Sequence, residues 1–244
     1  MVDVTPAVLM MLTVCAGSFL QVHIGLGLGI LCMTLFPILF PLSTAVGLNV
    51  AIASVSALYI MFSRWREIQW STILPVTVIS LTVSTMTTLC SLRVEQKVLK
   101  IILGSILILL ALYFAWFADR IHIRASRRNG VIMGLLAGVG NGLFGLGGPP
   151  VALYFMASVD DTQQYVASIQ TYFFFSNVVT AVVRAASGAF EPAHTPLIVI
   201  GWVCTALGTW VGLRTSGLLP KRILRRLAYI FIALSGLTLV INSL

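Results

Sequence analysis

The chain has 244 residues, of which 59% are hydrophobic and only 9% charged. Soluble domains carry roughly 25% charged residues, so this chain has too few to coat a water-facing surface, and lipid must be its solvent. The same arithmetic excludes a disordered chain, a nucleic-acid-binding domain and a secreted disulfide scaffold. The net charge of +8, from 15 basic against 7 acidic residues, is read first as a record of membrane orientation.

Charges divide the chain into apolar runs. The opening Met1-Val2-Asp3-Val4 lacks the positive flank of a cleaved leader, so the first apolar run is expected to stay in the mature protein. No charge then appears until Arg64. One bilayer crossing needs about 20 apolar residues. This first run therefore holds at least two, the last near residues 43–63, preceded by a segment with Gly25, Gly27 and Gly29. Residues 68–92, 101–118, 162–183, 192–213 and 227–244 each fit one helix. Trp65 and Trp70 flank the charged loop at 64–67, and Tyr113 and Trp116 precede Asp119, as expected of interfacial aromatics.

Residues 129–159 fit neither one helix nor two complete crossings. Their middle reads Gly138-Val139-Gly140-Asn141-Gly142-Leu143-Phe144-Gly145-Leu146-Gly147-Gly148-Pro149-Pro150. Proline has no amide donor and disfavours a helical residue before it, so the helix must break here. Broken backbone in a membrane has to be buried in protein or line a watery cavity. A hairpin of two half-helices meets that condition.

The chain also repeats itself. Ala16-Gly17 followed by Gly25-Leu26-Gly27 recurs as Ala137-Gly138 followed by Gly145-Leu146-Gly147. Asn49 matches Gln170, Pro75 matches Pro196, and Leu92-Arg93 matches Leu213-Arg214. The fold class is therefore an all-α polytopic membrane protein of two repeats. Each repeat is a glycine-rich broken helical hairpin plus three transmembrane helices. Residues 1–118 form the first repeat, 119–130 a basic cytoplasmic linker and 131–244 the second.

Charge tests whether the repeats are parallel or inverted. With Arg120, Arg124, Arg127 and Arg128 placed inside, a single crossing by residues 129–159 leaves seven basic residues inside and eight outside. A segment that enters and returns on the same side leaves eleven inside, with Arg93, Lys97, Lys100 and Arg184 outside. The positive-inside rule favours the second arrangement. The repeats are then inverted, both termini lie outside, and the chain is multi-pass. The first hairpin is either re-entrant or two short full crossings, which share one parity.

With the duplicated hairpin, the basic central loop and this size, the sequence resembles the TauE/SafE family of sulfite-exporter-like permeases. It departs from the family's glycine run at Leu28, and at Pro149-Pro150 where more glycine is usual. The resemblance implies a secondary transporter, an exporter by family expectation, of a small anion such as sulfite, an organosulfonate or a related sulfur oxyanion. The anion would be bound between two hairpin tips and moved by alternating access. It implies no cofactor. Lipid is the other partner, nucleic acid is not one, and a homodimer is compatible with this reading.

Several residues suit anion binding. A half-helix that starts inside the membrane points unpaired amides and the positive end of its dipole into the protein. Glycine lets an anion approach that backbone closely. The candidate donors are accordingly Gly25, Gly27, Gly145, Gly147 and Gly148. Gln21 and Asn141 precede the glycine clusters, and Asn49, Gln170 and Thr171 lie early in the following helices. The alternative for these side chains, and for Asn177, is interhelical hydrogen bonding. His23 is the one ionisable side chain between Asp3 and Arg64. It is read either as a proton carrier or anion donor, or as a neutral ring bonded to a carbonyl.

Arg184 reads as an interfacial, snorkelling residue, with attraction of anions at an outer mouth as the sharper alternative. Asp160 and Asp161 read as a helix cap, and the basic cluster at 221–226 as an orientation signal that meets lipid headgroups. Cys15, Cys32, Cys90 and Cys204 lie in apolar runs without a CxxC pair or metal-ligand spacing and read as inert thiols. No HExxH, GxSxG or intramembrane carboxylate pair points to an enzyme, so no catalytic or metal residue is assigned. A non-transporting membrane subunit is the remaining rival.

Overall fold

A computed structural model of the chain describes residues 4–24, 28–116, 124–159, 161–189, 194–215 and 221–241. Its helices are α1 (Val4–Ile24), α2 (Leu28–Leu39), α3 (Leu42–Ser63), α4 (Trp70–Ser91), α5 (Gln96–Trp116), α6 (Arg127–Phe144), α7 (Gly148–Ser158), α8 (Thr162–Ala186), α9 (Thr195–Arg214) and α10 (Lys221–Ile241). Among the described residues there is no strand. Six segments are long and apolar enough to cross a bilayer: Thr5–His23, Leu42–Ser63, Trp70–Ser91, Gln96–Tyr113, Thr162–Ala186 and Thr195–Arg214. The chain is a multi-pass, all-helical membrane protein.

Two compact units make up the structure. One contains α1, α2, α3 as far as Ile52, α5, α9 and α10; the other contains α3 from Ala53, α4, α6, α7 and α8. Each unit takes helices from both halves of the sequence.

In the first unit α1 and α9 lie side by side and run the same way. A β-carbon on Gly208 would strike the Cys15 carbonyl and come 3.0 Å from Ser18, while one on Gly212 would lie 3.1 Å from Val22. Cys15 Sγ donates to the Cys204 carbonyl at 3.5 Å, so these two thiol-bearing turns, distant in sequence, face each other. α2 folds back onto α1, with Leu28 Cα 3.1 Å from where a Gly17 β-carbon would stand. α5 and α10 run antiparallel: Gly104 abuts Gly236 and Val240, and Gly236 abuts Leu107 and Ile108. Trp202 Nε1 donates to the Ala51 carbonyl at 3.0 Å, which ties α9 to α3.

The second unit is built inside out. On α4 the buried residues include Thr77, Ser80, Ser84, Thr88 and Ser91, whereas Leu74, Val78, Met86 and Leu89 are exposed. Their three- and four-residue spacing makes one polar stripe, and lipid takes the apolar remainder. Against that stripe α6 sets Gly134, Gly138 and Gly142, one per turn. Lipid tails are as apolar as leucine, so close backbone approach has to hold membrane helices together. The approach is tight: a β-carbon on Gly138 would lie 2.7 Å from the Ser80 carbonyl. Thr87 Oγ1 donates to the Gly138 carbonyl at 3.3 Å and Thr88 Oγ1 to the Gly142 carbonyl at 3.1 Å.

Candidate functional site

The hairpin of the second half owes its shape to a short run of backbone. α6 ends at Gly145, which adopts the left-handed conformation with φ 67°, a region glycine enters without steric penalty. Its N–H donates to the Asn141 carbonyl at 2.7 Å, and the Leu146 N–H donates to the Gly140 carbonyl at 3.1 Å. The chain is thereby turned back along α6. α7 begins at Gly148 with both prolines in its first turn, where a missing amide hydrogen breaks no helical bond. Of the four orphan amides at a helix start, the prolines delete two and leave those of Gly147 and Gly148.

The two legs are antiparallel. Gly147 lies against the Ala137 carbonyl and Asn141, and Gly130 near the start of α6 lies against Tyr154 of α7. At 1.5 Å per residue α6 is about 27 Å long and α7 about 16 Å. α7 therefore climbs back toward the end of α6 where the hairpin began. Asp161 then caps α8, accepting from the amides of Gln163 at 3.0 Å and Gln164 at 3.1 Å, as the sequence predicts. Asp160 lies outside the described residues.

A buried polar seam backs this hairpin. Asn141 is 2% exposed; its Nδ2 lies 3.1 Å from Ser84 Oγ, 2.7 Å from Thr180 Oγ1 and 3.2 Å from the Ser176 carbonyl. Two amide hydrogens thus serve three acceptors. Ser84 and Thr180 also bond each other at 3.0 Å. One turn earlier on α4, Ser80 Oγ and the Tyr172 hydroxyl pair at 2.8 Å, and that hydroxyl lies against Gly147. At the far end Arg184 Nη2 donates to the carbonyls of Gly142 at 3.1 Å and Leu143 at 3.4 Å, and to Ser91 Oγ at 3.4 Å.

The position of Arg184 corrects the sequence reading. It does not snorkel at an interface; it is 2% exposed and sits on the carbonyl end of α6, where a helix attracts a cation. Tyr172, Ser80, Ser84 and Thr180 were not singled out from sequence at all. The signal that finds them is a four-residue period of polar side chains: Ser80, Ser84, Thr88 on α4 and Tyr172, Ser176, Thr180, Arg184 on α8.

The other expected site residues are placed as follows. Gln170 is buried but precedes Tyr172 by two residues, about 200° around the helix, so it lies off the stripe that meets Asn141. Thr171 returns its hydroxyl to the Ala167 carbonyl at 2.8 Å. Asn177 is buried on α8. Gly145, Gly147 and Asn141 come together at the break, with Gly148 next in the chain. Gln21, His23 and Asn49 belong to the first unit, and Gly25 and Gly27 lie outside the described residues.

His23 is buried, and both its ring nitrogens face carbonyls: Nδ1 that of Phe19 at 2.9 Å and Nε2 that of Thr215 at 3.4 Å. A neutral ring has one N–H and can satisfy only one of them. Gln21 is half-buried on the same helix. Asn49 is 1% exposed, and its Oδ1 has no hydrogen-bond partner among the described residues. Ser18 Oγ and Thr205 Oγ1 share that condition. Thr205 matches Ser84 across the 121-residue offset that relates Ala16 to Ala137. Yet Ser84 Oγ is engaged twice, and Thr205 Oγ1 not at all among the described residues. Buried polar atoms without partners are rare in native proteins and call for an explanation.

Neither a curated protein nor a solved structure matches the chain. A family profile described as sulfite exporter TauE/SafE matches residues 9–239, nearly the whole chain. The chain belongs to the TauE/SafE sulfite exporter family, a family of membrane transporters.

Proposed function

We propose that this chain is a secondary carrier of a small sulfur oxyanion, sulfite or an organosulfonate, built from two inverted repeats in the inner membrane and working by alternating access. The family match supports the class of substrate. Two packing relations support the inversion. α5 and α10 are counterparts across the repeat and run antiparallel, as a twofold axis in the membrane plane requires. The α6–α7 hairpin turns back toward the end where it starts, which gives the second half the odd number of crossings that inversion needs.

The observation that carries the residue assignment is Asn49, a buried amide whose oxygen has no hydrogen-bond partner among the described residues, matched by Gln170 in the second half. The oxygen and nitrogen of an asparagine can exchange places, so the same side chain can present its NH₂ to an anion. Sulfite offers three acceptor oxygens. In the second unit the amides of Gly147 and Gly148 and the side chain of Gln170 are neutral donors able to replace part of its hydration, and in the first unit Asn49 is another. Asn141 already serves three protein acceptors and acts as an anchor of the hairpin.

A ligand that binds only the folded state raises its stability, by about 2.7 kcal/mol at a hundredfold excess over Kd. Purified protein in detergent is therefore expected to melt at a higher temperature with sulfite or methanesulfonate than with acetate. Asn49→Ala is expected to keep the ligand-free midpoint, since Oδ1 contributes no protein bond, and to lose the ligand-induced rise. An equal rise in wild type and Asn49→Ala would assign Asn49 to packing.

A further inference from the structure

The last four carbonyls of a helix have no partner within it, and inside a membrane no bulk water serves them. At the end of α6 the Asn141 carbonyl accepts from the Gly145 N–H, and the Gly140 carbonyl just before it from Leu146. The next two carbonyls, of Gly142 and Leu143, are those that Arg184 reaches. The same guanidinium group reaches Ser91 on α4. One side chain thus ties α8, α4 and the last turn of α6 together, directly before the left-handed Gly145. The planar fork of arginine can span several acceptors at once; a lysine ammonium is a single point. Across the 121-residue offset the counterpart of Arg184 is Ser63, an exposed residue whose hydroxyl returns to the Tyr59 carbonyl at 2.8 Å. The position that matches Arg184 in the first half therefore carries no such clamp among the described residues.

We propose that Arg184 is a positioning residue for transport. By holding the carbonyl end of α6 it keeps the Gly145 turn in shape, and with it the Gly147 and Gly148 amides that receive the anion. The step from hairpin shape to anion binding rests on the carrier function proposed above; the clamp itself rests on contacts within the second unit.

Two readouts separate these steps. Amide hydrogen exchange across residues 142–151 should accelerate by about tenfold or more in Arg184→Gln, by less in Arg184→Lys, and by a few-fold in Ser91→Ala, while α5 stays at the wild-type rate. In proteoliposomes the sulfite KM should rise about fivefold or more in Arg184→Gln and recover in part in Arg184→Lys, with a smaller change in maximal rate. Should Arg184→Gln fail to fold, Arg184→Lys and Ser91→Ala carry the same two measurements. Wild-type exchange at 142–151 in the folded variants would overturn the clamp. Faster exchange with an unchanged sulfite KM would overturn its role in positioning. A wild-type protein that moves no sulfite would refute the carrier function instead, and the exchange rates would still decide the clamp.

Discussion

Gly142→Ala is expected to leave little folded protein. The added β-carbon would fall on the Ser84 carbonyl and Thr87 Oγ1, with the Thr88 amide nitrogen 3.0 Å away. Two of those atoms are backbone of the neighbouring helix and cannot swing aside, so α4 and α6 must separate. Separation breaks the bonds from Thr88 to the Gly142 carbonyl and from Thr87 to the Gly138 carbonyl, and pulls the same carbonyl from Arg184. Overpacking costs about 1–3 kcal/mol, and a backbone obstruction belongs at the top of that range. Gly130→Ala is the control, because the nearest atoms to its β-carbon would be the ring end of Tyr154, which can turn away. Melting midpoints in detergent compare the two. Equal midpoints would mean that α4 and α6 do not pack as described.

Asn141→Leu is expected to destabilise the protein by about 2 kcal/mol, the loss of two side-chain hydrogen bonds at the upper end of values measured in membranes. Ser84 and Thr180 keep their mutual bond, so neither hydroxyl is stranded, which holds the cost to that size. The contrast with Asn49 separates anchor from ligand. Removing an oxygen that has no partner among the described residues costs no hydrogen bond at that atom, while removing a satisfied amide does. Melting of Asn141→Leu and Asn49→Leu without ligand tests this. A larger loss in Asn49→Leu would reverse the two roles.

Much of this architecture was legible in the sequence because membrane helices declare themselves by the absence of charge. The runs at 68–92, 162–183 and 192–213 became α4, α8 and α9 with ends shifted by three residues or fewer, and Gly145 stands at the break where the glycines and prolines called for one. α5 was drawn too short, because Lys97 and Lys100 ended the uncharged run although lysine is a good helix former and the helix begins at Gln96. Packing was harder to read. That α6 lies on α4 and α9 on α1 depends on contacts between distant segments, and nothing local in either helix announces its partner. Arg184 was misplaced for a related reason. A basic residue near a helix end looks interfacial until the carbonyls it bonds, about forty residues earlier in the chain, are known. Asn141 and Asn49 look alike in sequence, and only their surroundings distinguish a side chain with three acceptors from one with an unpaired oxygen.

The central claim is that the chain moves a sulfur oxyanion across a membrane. Sulfite efflux from proteoliposomes holding the purified protein measures it most directly, with methanesulfonate, thiosulfate, sulfate and acetate as comparisons. The expected result is saturable efflux of sulfite or the sulfonate, well above that of protein-free vesicles, with reduced affinity in Asn49→Ala. Efflux no faster than from protein-free vesicles for every sulfur anion, from protein that is folded and correctly inserted, would contradict it.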